Sequence, residues 1–548
     1  RVVRLSVNQG RDAAVEVRAD RAGDFAWGIA EHDLLGGDLV QAGVVLEKGH
    51  TVQRAIRAPY LRLGLHDGAV AAYVDAFSPA RVLLRGRQGL RGQAEAVADR
   101  TGLLSVVLRG ADAGRLLPDP DDELVAEWRT GSDARQAAMR VPELSLEWDV
   151  ARDRVWGTAR PWPQAEWLEV SVWPLRTFGA TAVPAPAGDG AWTLDLTGRT
   201  ELAPGTRIEA TLRDAGGNLA MRCRNVPLVR APQGGSRVEG LADPLQVVTA
   251  TLRDAGGRLL AAGAGTATEA GDWSLVLAGD SGTSPTTDGQ VVAVDIGTGT
   301  IEVELPRFEV TPDWSRGVIA GFGPADSALE MRGSSGCRPS DPRRVELVQW
   351  PAVRTGPDGS LSAVGDFARG DRITLTHLTD AAQEVYVRLV RPLALVDVAA
   401  GVVSGCATPF VTLRASLHAE DGALRDRREA AADHDGAYAL AFVGRDGAPM
   451  AVMPTDYVLF EADNESSRIP SDYVTVETGD GPSVSGRALP GQPYVLEFRL
   501  ADGRIDWLEL TAGSDGAFRI DEWGLRALND DDWSLGQVET VLVHAETA

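Results

Sequence analysis

Lysine is almost missing from this chain: Lys48 is the only one, and the other 53 of the 54 basic residues are arginine. Such a bias points to genome composition or thermal adaptation more than to any one site. Cysteine is nearly as scarce. Cys223, Cys337 and Cys406 are too few for a disulfide-stapled scaffold and too far apart for a zinc knuckle, so packing has to hold the cores together. Positive charge is in deficit, with 54 basic against 78 acidic residues and a net charge of −24. That balance excludes nucleic acid or an anionic membrane as the main partner, since both require a basic footprint. No apolar run is long enough to cross a bilayer, and no sustained amphipathic helix is visible. The chain opens on Arg1 without a Met or a signal peptide, which reads as a processed start or an excerpt.

What the chain does have is repetition. At 548 residues and 44% hydrophobic content it is folded and too long for a single core, so several domains are expected. Three landmarks recur in a fixed order. The first is a short strand of the form apolar-x-Gly-x-small followed by Pro. Examples are Val155-Trp156-Gly157-Thr158-Ala159-Arg160-Pro161, then Val238, Gly240, Ala242 and Pro244, and later Ile319, Val403 and Val484 with their glycines. With a degenerate copy at Val70, successive copies lie 81 to 85 residues apart. The second is Gly-x-aromatic-x-apolar, carried by Gly190 with Trp192, Gly271 with Trp273, Gly436 with Tyr438 and Gly516 with Phe518, with weaker copies at Gly23, Gly102 and Gly359. The third is a Pro entering an alternating strand, at Pro59, Pro142, Pro227, Pro306, Pro392 and Pro470, each 11 to 14 residues ahead of the next first landmark.

Each landmark marks one strand. Gly inside a strand signals a bulge or a close backbone approach, Pro suits a strand end or edge, and the aromatic enters the core with its apolar neighbour two residues on. Six or seven short strands per unit of about 80 residues is the density of a sandwich. The expected fold is therefore all-β: a linear array of about seven Ig-like β-sandwich modules, the first and last incomplete. Drawn at the first landmark, the modules run 1–66, 67–152, 153–235, 236–315, 316–400, 401–481 and 482–548. The missing terminal strands fit a window cut from a longer repetitive polypeptide, or strand donation between subunits. Residues 424–433 have helix-forming composition, yet their place in the repeat predicts a strand.

Reactive constellations are weak. Gly279-Asp280-Ser281-Gly282 spells a trypsin-like nucleophile motif without a credible His and Asp in the same module, and it reads as a loop. The histidines are scattered without zinc-binding spacing. Asp119, Asp121 and Asp122, then Asp433 and Asp435, and finally Asp530, Asp531 and Asp532 form acidic loops in which calcium is weighed against solvated turns; the turn reading is preferred. Cys337 and Cys406 could form an inter-module disulfide in an oxidising compartment, or remain free thiols. No catalytic residue and no cofactor are expected. Trp192, Trp273, Tyr438 and Phe518 are taken as core markers.

The Gly-x-Trp-x-Leu motif, with the Val-x-Gly-x-Ala-x-Pro strand that opens each module, resembles tandem bacterial Ig-like modules and the related carboxypeptidase-regulatory-like domains. The resemblance implies an extracellular or cell-surface stalk, adhesin or fibre, or a spacer beside a catalytic domain. The reading that follows is a non-enzymatic structural component of an extracellular filament, sheath or stalk, whose partner is itself or a longer chain of like modules. The alternatives are an adhesin that binds glycan or protein through module loops, and a spacer region of a secreted enzyme. An adhesin calls for one module rich in exposed aromatics, whereas the tryptophans read as spread along the chain.

Overall fold

The computed structural model describes residues 2–7, 13–20, 25, 36–45, 51–130, 132–160, 165–175, 179–184, 189–279, 282–297, 299–334, 348–397, 400–444, 447–453, 456–463, 465–470, 475–478, 483–487, 493–500, 505–511, 513–514, 517–521 and 538–545. Among them there is no α-helix, and a single 3-10 turn at Val150–Arg152 interrupts the strands. The fourth module shows the recurring plan. Asp272–Val276, Arg237–Leu241 and Leu228–Gln233 form, in that order, one end of an eight-stranded sheet that continues into the fifth module, and Leu259–Thr266, Val247–Arg253, Val291–Asp295 and Thr300–Glu304 follow one another in a six-stranded sheet. Val247–Arg253 alternates buried Val248, Ala250 and Leu252 with outward neighbours, the pattern of a strand with one face on a core. The sixth module repeats the plan, with Leu424–Ala431 as a strand on Thr412–His418, so pairing overrides the helical propensity of that segment.

The landmarks explain each other. Gly157 pairs directly with Trp192, Gly240 with Trp273, Gly405 with Tyr438 and Gly486 with Phe518 across one antiparallel ladder. The aromatic ring lies over the glycine. A Cβ on Gly240 would run into the Leu228 carbonyl oxygen and come within 2.6 Å of the Trp273 ring. The four aromatics are 3%, 4%, 7% and 7% exposed, in chain order. The glycine that opens the second landmark has a separate reason to be glycine: Gly271 at φ +92° and Gly436 at +85° turn the chain in the left-handed region.

The strand after each Pro landmark hydrogen-bonds to the first-landmark strand that follows it. Tyr60–Gly64 pairs with Ala69–Tyr73, Leu228–Gln233 with Arg237–Leu241, and Leu393–Asp397 with Val402–Cys406. By sheet membership the modules thus begin at the Pro landmarks, ahead of residues 67, 236 and 401.

The cores do not divide into one per module. A continuous cluster of buried side chains runs from Leu61 to Val226 through the second and third modules, another runs from Val229 to Leu389 through the fourth and fifth, and a third lies within the sixth. Within the described residues, the second to fifth modules therefore pack as two pairs, each with one continuous cluster of buried side chains.

Gly240→Ala should destabilise the second pair by about 3 kcal/mol, the upper range for overpacking a rigid site. Hydrogen exchange in Arg237–Leu241 and Asp272–Val276 should accelerate about 100-fold, while that of Thr412–His418 in the sixth module stays as it was.

Candidate functional site

Glu384–Val390 is buried at six of its seven positions, and Leu228–Gln233 at four of six. Strands covered on both faces, in a fold otherwise built of half-buried ones, are the mark of parallel pairing inside a wide sheet. The two are indeed neighbours: Arg230 stands beside Glu384, Ala231 beside Val385, Pro232 beside Tyr386 and Gln233 beside Val387, all in parallel. The first pair has the same seam. Arg62 stands beside Leu219, Leu63 beside Ala220 and Gly64 beside Met221. All other strand pairings among the described residues are antiparallel. The seams join the first strand of each pair to its last, Tyr60–Gly64 to Leu219–Asn225 and Leu228–Gln233 to Glu384–Val390.

One side-chain contact recurs at the start of both seams. The Leu61 N–H donates to Asn218 Oδ1 at 2.9 Å, and the Val229 N–H donates to Gln383 Oε1 at 2.6 Å. Leu61 and Val229 open their seams, and Asn218 and Gln383 each end a tight turn just before the closing strand. The turns hold them: Asn218 Nδ2 donates to Asp214 Oδ2 at 2.8 Å, and the Gln383 N–H donates to Thr379 Oγ1 at 3.1 Å. An N–H left over at the start of a buried strand needs an acceptor, and a long amide reaching across sets the register while it supplies one.

The outer faces differ. In the second pair Arg230 Nε meets Glu384 Oε2 at 2.7 Å and Arg230 Nη1 meets Glu239 at 3.4 Å, with Glu384 only 3% exposed. Tyr386 lies between the Arg230 and Arg388 guanidinium groups, and burial raises its phenol pKa. In the first pair the Cys223 N–H donates to His66 Nδ1 at 3.2 Å. Burial holds the His66 imidazole below its ordinary pKa, against the opposing pull of Asp67, whose Oδ2 is 3.7 Å from Nε2. Cys223 is a free, buried thiol that burial pushes up to about 11.

Successive units are joined by two residues: Ala58-Pro59, Val226-Pro227 and Arg391-Pro392. Hydrogen bonds hold these joints. The Asn225 N–H donates to Asp243 Oδ1 at 3.0 Å, its side chain donates to the Ala242 and Ala270 carbonyls, and Arg224 meets Asp243 at 2.8 Å. At the next joint the Val390 N–H donates to Thr408 Oγ1 at 3.2 Å, and Arg391 meets Glu465 at 3.1 Å. Arg115 to Glu269 at 2.5 Å and Arg237 to Asp435 at 3.0 Å add bridges between the second and fourth modules and between the fourth and sixth.

The acidic candidates are engaged by protein groups. Asp119 and Asp122 both meet Arg91, and Asp121 meets Arg140 at 2.7 Å and Arg87 at 3.1 Å. Asp433 Oδ1 accepts the N–H groups of Asp435 and Ala437 in its own turn. Among the described residues no three His, Cys, Asp or Glu side chains converge as a metal site. Asp530, Asp531 and Asp532 lie outside the described residues, as do Asp280, Ser281, Gly516 and Cys337. Gly279 and Gly282 pair with each other across a hairpin end. Cys406 is disulfide-bonded.

A cavity of about 350 Å³ lies where the third and fourth modules meet, between Leu175, Gly205, Leu228 and Trp273. Among the described residues the exposed tryptophans lie elsewhere: Trp156, Trp167 and Trp173, all in the third module, are 37%, 37% and 44% exposed. Trp167 and Trp173 share a face of Ala165–Trp173, opposite Arg213 and Arg207 on the next strand.

No protein-family model matches the chain, and no curated protein matches it. Solved structures similar to it include a tetra-tandem repeat from the extending region of a large adhesion protein, at 14% identity over 76% of this chain and 100% of that one, with a TM-score of 0.14. An alpha-2-macroglobulin of Salmonella is 14% identical over 96% of this chain and 45% of its own length, with a TM-score of 0.14. A bacterial ice-binding adhesin is 15% identical over 45% of this chain and 94% of that one, with a TM-score of 0.11. At such TM-scores the strand arrangements do not superpose over the chain.

The His66 contact makes the first seam sensitive to acid. A histidine that titrates lower when folded leaves the unfolded state binding more protons, so its stabilisation is complete above the unfolded value near 6.5 and is lost as pH falls below it. After correction for intrinsic exchange rates, the Cys223 amide should lose protection between pH 7 and pH 5. The Arg388 amide, at the matching place in the second seam where Gly234 replaces the histidine, should not. His66→Gln should flatten the difference.

Proposed function

We propose that this chain is a stretch of a cell-surface or extracellular stalk or filament, a structural element whose role is extension and which performs no catalysis. One observation carries the reading. The two strands of each seam run in parallel, so the chain enters a pair at one end of the seam and leaves at the other, and a two-residue joint passes it to the next pair. Repetition of that step propagates in one direction. Joints this short, fixed by hydrogen bonds and ion pairs on both sides, favour a semi-rigid rod over a flexible string. The disulfide bond at Cys406 suits an oxidising compartment outside the cytosol. Like chains associating laterally or end to end would make a fibre of such rods, with no cofactor.

A second reading, surface adhesion, draws on Trp167 and Trp173. Six residues apart on one strand face, they stand about 20 Å from each other, and Arg207, Arg213 and Glu209 on the neighbouring strand provide polar contacts beside them. Flat aromatic rings flanked by such groups suit the apolar faces and hydroxyls of an extended polysaccharide.

Negative-stain electron microscopy should show unbranched rods of uniform width, and sedimentation should show mass rising with concentration. Compact globules would refute the stalk, and a strictly monomeric rod would refute self-association. For the adhesive reading, Trp167→Ala with Trp173→Ala should weaken retention on a polysaccharide column about tenfold or more; a glycan panel on which the unaltered chain retains nothing removes that reading.

A further inference from the structure

We infer that the parallel seam is a tension-bearing clamp and that each pair of modules, not each module, is the mechanical unit of the chain. The inference rests on the stalk reading, since a stalk is loaded through its two ends. Tension reaches the first pair through Pro59 at the start of Tyr60–Gly64 and leaves it through Val226-Pro227 at the end of Leu219–Asn225. Because these strands are adjacent and parallel, the two forces pull neighbouring strands in opposite directions along their own axes. The seam is thus loaded in shear. Its hydrogen bonds share the load and must fail together, whereas a hairpin pulled open at one end gives them up one at a time.

The second pair repeats the geometry in the same register, with Arg230 beside Glu384 where the first has Arg62 beside Leu219. The two amide contacts lie where the load enters. Asn218 grips the Leu61 N–H and Gln383 grips the Val229 N–H, at the first residue that would slide. Beyond the ladder the Leu65 N–H donates to the Met221 carbonyl and the Cys223 N–H to His66, which lengthens the sheared contact in the first pair. In the second pair the strands under load are largely buried on both faces, so water is kept from the bonds it would otherwise replace. The one core that each pair shares also has to open when its seam fails.

The test is optical-tweezer extension of the full chain held by handles at both ends. A pair of roughly 165 residues releases about 55–60 nm when it yields as one unit, and a single module releases about 25–29 nm. Steps of the longer kind should come from both pairs. Asn218→Ala and Gln383→Ala, made separately, should each shorten the lifetime of one long step under constant load by about tenfold, the effect of one buried hydrogen bond. Thr181→Ala, which removes a side-chain contact to Ser171 away from the load path, should leave both lifetimes unchanged. Steps of 25–29 nm throughout overturn the inference, as do long steps indifferent to both amide substitutions. Should a variant fail to fold, the step length of the unaltered chain still decides. Rods in the microscope with short steps refute the clamp alone, whereas globules refute the stalk beneath it.

Discussion

The architecture depends on one constraint: the last strand of each module pair must return to lie parallel beside the first. Asn218 and Leu61 are 157 residues apart, and Gln383 and Val229 are 154 apart, yet each couple shares a hydrogen bond. The parallel seam marks where a pair begins and ends and places the chain's entrance and exit at opposite ends of one strand pair, and each pair has one continuous cluster of buried side chains. Without the return, each module would keep its own two sheets and touch its neighbour only at the joint. The array would then be a string of separate sandwiches.

What was legible in the chain was local. The first-landmark glycine and the second-landmark aromatic are partners across one ladder, and each predicts the other: Trp273 covers Gly240 because no Cβ fits there. Period-two burial in strands such as Val247–Arg253 was readable for the same reason, since it depends on near neighbours. The seam was not readable in that way. Its strands come from different modules, and parallel partners carry no turn between them to announce the pairing. A trace was present all the same. The distances from each Pro landmark to the next first landmark run 11, 13, 11, 13, 11 and 14 residues, an alternation whose physical origin is now visible. At a joint between pairs the strand begins directly after Pro, as at Tyr60, Leu228 and Leu393, while inside a pair a longer crossing intervenes, as between Pro142 and Glu147–Asp149.

Charge tells a related story. A chain with 78 acidic residues invites a search for cations, and its acidic loops read as solvated turns more than as calcium sites. In the loop at Asp119, Asp121 and Asp122 the carboxylates meet Arg87, Arg91 and Arg140, which supply positive charge. Planar guanidinium groups grip carboxylates in a fixed orientation, and they recur at the bridges between units, from Arg115 to Glu269 and from Arg224 to Asp243. The scarcity of lysine therefore acquires a structural aspect that composition alone did not reveal.

The return strand also has a cost during synthesis. When Tyr60–Gly64 leaves the ribosome, the strand that will lie against it is still some 157 residues from being made. At ordinary elongation speeds that is a wait on the order of 10–30 s, with one sheet edge open the whole time. Neighbouring units present edges of the same shape, so the nascent chain has wrong partners within reach before the right one exists. A chaperone that shields the open edge during that interval would find its client here in the half-made pair.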